Sequence, residues 1–480
     1  MQTHELRKRL EALDSEISKL DTVPEDLEAQ RDAILDELDL VTYPVLTLAP
    51  EVTTEIFMWC KVNSLHSRSI SLYFTPFLLT RICRAWRSLA LSIPALWDSF
   101  PDLHLEYYPD VEESVDEWLT RAGTRPISLA LCAPPDAEAP VVERMVHKYA
   151  ARLKHLRLDV PSLEDFKAVP AFPVLSQLVI SNLDDMDDIL TGENNLFDAD
   201  GAPALDHLSL TSVLPISLIN MPWKQLTKLS LCFVPLTHTL TALQSATGLV
   251  EFNRRFSPEE EEEPDTSLSV RHTLITSFAL TGRDEDHDIL PWLTLPRLER
   301  MQLGGIDGEY EDTLDSNVSP FLERVSSTLT TLVLGMAPTP PVEWLLPLTE
   351  LTTLELVRSN RSVWRGPQFT TDVIRALDRR TSPDVLPKLQ TFVLSNCGSD
   401  RVDDELLGVL GSRCDEDGAH ARLESFRLIW TAPITGDEFR LGDYSDSVLR
   451  LPLINVLPLR ALAARGLRIH IGTDDVNNFY

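Results

Sequence analysis

The 480-residue chain is 43% apolar and 24% charged, the composition of an ordered soluble protein, and it exceeds the usual size of one domain. Its 43 lysines and arginines face 74 aspartates and glutamates, and the formal charge of -31 argues against nucleic-acid backbones and anionic membranes as partners. There is no apolar run near the ~18 residues of a membrane span, the opening is charged and helix-like instead of a secretory signal, and six cysteines form no CxxC pair; the expectation is cytoplasm or nucleus.

Residues 1–42 hold 5 basic and 12 acidic residues, net -7. Leu6, Leu13, Leu20, Leu27, Ile34 and Val41 recur every seven positions, and Leu10, Ile17 and Leu38 add a second stripe, as an amphipathic or coiled helix requires. Pro24 interrupts that stripe and donates no interior hydrogen bond, which predicts two short helices or a hairpin instead of one rod. Packing against the same chain and weak self-association through 1–42 both remain open.

Residues 43–100 reverse the charge, with 5 basic and 3 acidic residues, net +2, so a different partner is expected for this segment. The run from Tyr43 to Val52 places Pro50 where a helix opens, because the first turn needs no donor there. Val52, Ile56 and Phe57 recur approximately along one helical face, and Ile82, Trp86 and Leu89 form an i, i+4, i+7 stripe in a second helix. Pro94-Ala95-Leu96-Trp97 comes next.

This segment resembles an F-box, a small three-helix module that docks on the Skp adaptor subunit of a cullin–RING ubiquitin ligase. The resemblance implies adaptor contacts at Leu48, Pro50, Glu51, Val52, Ile56, Phe57 and Trp86, while Cys83, Leu89 and Trp97 match its later apolar places. Thr53 and Thr54 depart from the pattern, as does the length of residues 61–78.

In the junction at 101–130, Trp118 to Ala122 reads as a helix stopped by Gly123, and Arg125 to Leu131 as an alternating strand. Its expected role is to cap the first edge of the C-terminal module and hold the two modules together.

From 131 to 480 one pattern dominates: an apolar residue, two free positions, a second apolar residue, one free position and a third. It runs from Leu153-Leu156-Leu158 to Leu423-Phe426-Leu428, through ten recurrences whose starts lie 21, 22, 23, 30 or 31 residues apart where spacing is regular. The last two apolar places fall on one face of a short strand. Leu249 and Phe252 restore the period inside the longest gap, although Arg254 takes the third place, and Leu467 with Ile469 predicts a final strand. Stacked units of this kind bury apolar rows that none buries alone, so the expected fold is α/β, a solenoid with a parallel sheet on its concave side.

These units resemble irregular ribonuclease-inhibitor-like leucine-rich repeats, with Cys397 following Leu394 near the polar place of that pattern. The whole chain resembles mushroom-type fungal families in which a short leucine-patterned N-terminal helix precedes an F-box and leucine-rich repeats. The resemblance implies a substrate-recognition subunit of a cullin–RING (SCF-type) ligase, with Skp adaptor and cullin as partners. A repeat scaffold that has lost its adaptor is the alternative, and a hydrolase or transferase a third class.

Positions between the inward apolar places face outward and make the candidate surface for a target protein: His155, Arg157, Gln177, His207, Lys228, Arg300, Gln302, Glu355 and Arg427, with Val333 on the same side. The acidic block from Ser257 to Asp265 and the Asp184, Asp185, Asp187, Asp188 cluster offer surfaces for a basic partner, or simply solvated loops. Asp415-Glu416-Asp417-Gly418 lacks the later ligands of an EF-hand. His155 and His207, two units apart at about 10 Å by strand spacing, stand too far apart for one zinc. With no Walker loop, HExxH helix or GxSxG elbow in the sequence, the expectation is a non-enzyme without cofactor, metal or catalytic residues.

Overall fold

The computed structural model describes residues 2–17, 25–39, 47–64, 75–100, 103–104, 111–132, 139–159, 171–181, 201–211, 221–255, 268–281, 284–304, 317–335, 341–357, 371–395, 403–414, 420–429 and 453–472. Pro24, Tyr43 to Leu46, the Asp184–Asp188 cluster, the 257–265 block, Cys397 and Asp415 to Gly418 lie outside them. The chain forms two units, Met1–Leu103 with Glu113–Arg125, and His104–Glu112 with Pro126–Tyr480.

In the first unit α1 (Gln2–Ile17) and α2 (Glu25–Asp39) pack against each other. Next come α3 (Pro50–Ser64), α4 (Thr75–Ile82), α5 (Arg84–Ser92), a 3-10 turn at Pro94–Leu96, and α6 (Val111–Arg121), which belongs here from Glu113 onward. The stripe expected from Ile82 through Trp86 to Leu89 is not one helix. Cys83 is extended, at φ -156, and its Sγ accepts the Trp86 amide at 3.4 Å, so a thiol caps α5 where a continuous helix would have run on. Ile82 is consequently left exposed.

The core of this unit is aromatic. Trp118 of the junction helix lies edge-on to Phe77, Trp97 and Phe100, with ring centroids 5.1, 4.7 and 5.3 Å away. Both buried indoles are satisfied: Trp97 Nε1 donates to Ala90 O at 2.9 Å and Trp118 Nε1 to Ser99 O at 3.1 Å. Gly123, at φ 61, takes the left-handed turn that ends α6.

The second unit is α/β and is built on one large parallel sheet. Its strands are β1 (Leu103–His104, of which His104 belongs to this unit), β2 (Ile127–Cys132), β3 (Leu153–Asp159), β4 (Gln177–Ser181), β5 (His207–Thr211), β6 (Lys228–Cys232) and β7 (Glu251–Arg255). They continue in the same order through β9 (Ser277–Thr281), β11 (Arg300–Leu303), β12 (Thr331–Gly335), β13 (Thr353–Val357), β14 (Thr391–Ser395), β15 (Ser425–Ile429) and β16 (Arg468–Gly472). β8 (Val270–Arg271) and β10 (Leu293–Thr294) pair separately, also in parallel. Parallel neighbours need crossovers, and α7 (Ala139–Tyr149), α8 (Leu236–Ser245), α9 (Val318–Val325), α10 (Thr371–Ala376), α11 (Asp404–Ser412) and α12 (Leu453–Ala464) lie in these connections.

Sequential strands pair without stagger of the apolar places, so the triplets become two continuous buried rows. One runs through Leu156, Phe252, Met301 and Leu332 to Ile469, the other through Leu158, Leu231, Leu334 and Leu428 to Ile471. The last strand fills the rows with Ile469 and Ile471, and Leu467, expected in one of them, is buried just ahead of it. Phe252 and Phe278 stack at 5.4 Å, nearly parallel. Arg254 keeps the register between Leu231 and Leu280 while fully buried, because the ladder bonds through its backbone whatever the side chain.

A second repeat appears in the hydrogen bonds at the strand entries. A single carbonyl there receives two successive amides of the next unit: Ser176 O takes Asp206 and His207, Glu299 O takes Thr330 and Thr331, and Gln390 O takes Glu424 and Ser425, at 2.8–3.1 Å. Thr330 adds its hydroxyl to Glu299 O at 3.1 Å.

Near the C-terminal end of the sheet, the buried Arg413 follows α11 and reaches into the 377–386 segment. Its guanidinium donates to the carbonyls of Leu377 at 2.5 Å, Leu386 at 3.0 Å and Val385 at 2.8 Å. Leu386 itself holds φ 46, a left-handed conformation that costs a branched side chain. Burial, then the neighbouring Arg379 cation, lower the Arg413 pKa to about 10, against the opposing pull of Asp378. The group stays charged at neutral pH.

Candidate protein-docking surfaces

Helix α3 is turned against its own hydrophobicity. Among the described side chains of α3, Thr53, Phe57 and Lys61, at i, i+4 and i+8, are buried, whereas Val52, Ile56 and Trp59, at i, i+4 and i+7, are 48%, 37% and 72% exposed. The buried side is made acceptable by polar partners. Thr53 Oγ1 donates to Ala49 O at 3.3 Å, and Lys61 Nζ donates to Ala95 O at 2.6 Å and pairs with Asp98, which also takes Arg125 Nε at 3.1 Å.

Of the residues expected to meet an adaptor, Leu48, Pro50, Glu51, Val52 and Ile56 are exposed. Phe57 is not available: it is fully buried, edge-on to the half-buried Trp86 at 4.9 Å, so the expected common face of Val52, Ile56 and Phe57 divides between solvent and core. One helical position separates Ile56 from Phe57, and about 100° of rotation carries the two to different sides. Sequence reasoning missed Trp59, although it stands seven residues beyond Val52 on the same face. Leu78 and Ile82, i and i+4 on α4, are likewise exposed. Apolar side chains gathered on a helix face mark a docking surface more than singly scattered ones do.

The second candidate surface is the open face of the sheet. His155 is half-buried with Nδ1 2.9 Å from Ser128 Oγ, and Arg157 pairs at 2.9 Å with Asp159, a buried carboxylate that also accepts Cys132 Sγ at 3.2 Å. Gln177, His207 and Lys228 follow in one ladder row, and Lys228 pairs with Glu251 at 2.8 Å. Arg300 is exposed, Gln302 and Arg427 are half-buried, and Glu355 accepts Ser395 Oγ at 2.6 Å. Val333, expected outward, faces that side and is nonetheless buried; it lies in register with Gln302 and Glu355, whose longer chains flank its short branched one.

His207 is held below its usual value by burial first and by the Lys228 cation second, with Asp206 and Glu251 pulling the other way. The folded state therefore binds this proton less tightly than the unfolded chain. The stabilisation is present above the unfolded value of about 6.5 and is lost as pH falls below it toward the folded value. Urea midpoints should fall more steeply below about pH 6.5 for the native chain than for His207→Gln, and parallel profiles would remove the assignment.

Among the described residues no cluster of His, Cys, Asp and Glu is arranged to hold a metal ion, and no helix is long and apolar enough to cross a membrane. Cys60, Cys83, Cys132, Cys232 and Cys414 form no disulfide with one another. No protein-family model matches the chain, and neither does any curated protein.

Proposed function

We propose that this chain is an F-box protein of the substrate-recognition class: residues 43–100 hold the Skp adaptor of a cullin–RING ubiquitin ligase, and the sheet is the concave side of an irregular leucine-rich-repeat solenoid that holds a target protein. The observation that carries the reading is the outward apolar face of α3. Fully covering a large apolar side chain contributes about 1.5–3 kcal/mol, so a partner that closes over Val52, Ile56 and Trp59 gains several kcal/mol from these side chains. The open sheet face supports the second half of the reading, since it offers alternating polar side chains on a fixed lattice. Carrying both partners on one chain raises the effective concentration of target lysines near activated ubiquitin, and no catalytic group is needed for that.

The test is recovery of purified Skp adaptor and cullin by the intact chain and by the Val52→Asp, Ile56→Asp double variant. Both sites are exposed, so the fold should persist by circular dichroism while adaptor affinity falls at least about tenfold. If the folded native chain recovers target proteins but no adaptor even at adaptor excess, the scaffold reading replaces this one. Turnover of a small substrate in the absence of ligase subunits would overturn the non-enzymatic assignment.

A further inference from the structure

We propose that the open face of the sheet from β5 to β11 binds an extended acidic stretch of a partner protein, an inference that rests on the reading of this face as the target surface. Acidic residues outnumber basic ones 74 to 43 in the chain. On the ladder positions immediately before, between and after the two buried rows the balance reverses: Arg157, Lys228, Arg255, Arg300, Arg427 and Arg468 stand there. Their acidic counterparts are Asp159, Glu251 and Glu355. A face that turns basic on an acidic chain is complementary to an acidic partner.

Two of those three carboxylates are already engaged. Asp159 is buried against Arg157, and Glu355 holds Ser395. Glu251 is the exception: its pair with Lys228 leaves both side chains about half exposed, at 48% and 47%, and exposed pairs contribute little. A partner carboxylate can therefore share or exchange with Glu251 at small cost. Arg300 forms no ion pair among the described residues.

The lattice sets the spacing. Lys228 and Arg300 share one row three strands apart, and Arg255 lies one strand from Lys228 and four residues further along. Strand separation of about 4.8 Å and a rise of about 3.3 Å per residue put the Cα atoms of the three residues roughly 14–16 Å from one another. That is the reach of about four to five extended residues. Between them stand Ser230, Asn253, Ser277 and Ala279, short side chains over which a backbone can pass. At the strand end Phe233, at φ 58 and 41% exposed, donates its amide to Arg255 O at 3.1 Å.

The experiment uses the full chain and a fluorescent extended peptide carrying glutamates at about five-residue intervals, with lysine and serine versions as controls, read by anisotropy at low and high salt. The glutamate peptide should bind best, weaken with salt, and lose at least about tenfold in affinity in Arg300→Glu, whose melting should be unchanged. Equal binding of the serine peptide, or of native and Arg300→Glu protein, overturns the proposal. A photo-crosslinker at Ser277, between Glu251 and Arg300 in the row, separates it from the target-surface reading on which it rests. A trapped acidic partner segment supports both, a trapped neutral or basic one overturns the acidic specificity alone, and a bound partner that never crosslinks there overturns both.

Discussion

Replacing Arg413 with alanine is expected to lower the unfolding free energy of the sheet unit by about 2–5 kcal/mol, the cost of leaving buried carbonyl acceptors without a donor. The carbonyls of Leu377 and Val385 lose their guanidinium donor at once, while that of Leu386 keeps the Leu389 amide at 3.2 Å. Each buried acceptor left bare costs about 1–3 kcal/mol, and water entering the vacated volume recovers part of the sum. The lowered pKa works against this loss, because burial and Arg379 already weigh on the cation and its removal relieves that cost. Arg413→Lys should fall between, since one ammonium cannot reproduce a planar fork aimed at three acceptors. Urea unfolding is the measurement, and an alanine variant with the native midpoint would show that the guanidinium does not hold this segment.

The second large effect is Leu332→Ala, at about 2–5 kcal/mol. Leu332 is fully buried and lies in register between Met301 and Leu354, so its removal opens a void bounded by strands that cannot close without losing their ladders. Thr331→Ala, on the adjoining outward place, should stay within about 0.5 kcal/mol. Equal losses from the two substitutions would contradict the alternation of faces.

The strand positions were legible because spacing alone decides them. In Thr331-Leu332-Val333-Leu334 the period of two identifies the inward pair without knowledge of any other strand. Arg254 was a harder case: its charge hides a strand whose backbone is as regular as its neighbours. The helical unit was less readable. Val52, Thr53, Ile56, Phe57 and Lys61 define two competing faces, and hydrophobicity favours burying the wrong one. The choice depends on Asp98 and the Ala95 carbonyl, more than thirty residues away in sequence, which satisfy Lys61 inside. The break at Cys83 depended on a thiol acting as a cap, which no apolar stripe reveals. Val333 looked outward by parity and is buried by the long side chains in register beside it, a matter of cross-strand neighbours instead of sequence spacing.

Alternation along each strand has a consequence for descent with change. The leucines that keep the chain folded and the side chains that meet the outside occupy separate sets of codons, interleaved one by one, from Leu156 beside Arg157 to Phe426 beside Arg427. Substitution at the outward places, other than buried ones such as Val333 and Asp159, leaves the interior untouched, so a lineage can rewrite what this surface prefers one residue at a time without passing through unfolded intermediates. Duplicated genes of this design are thereby free to diverge in preference while remaining equally stable, and variation among them should concentrate on every second residue of the strands.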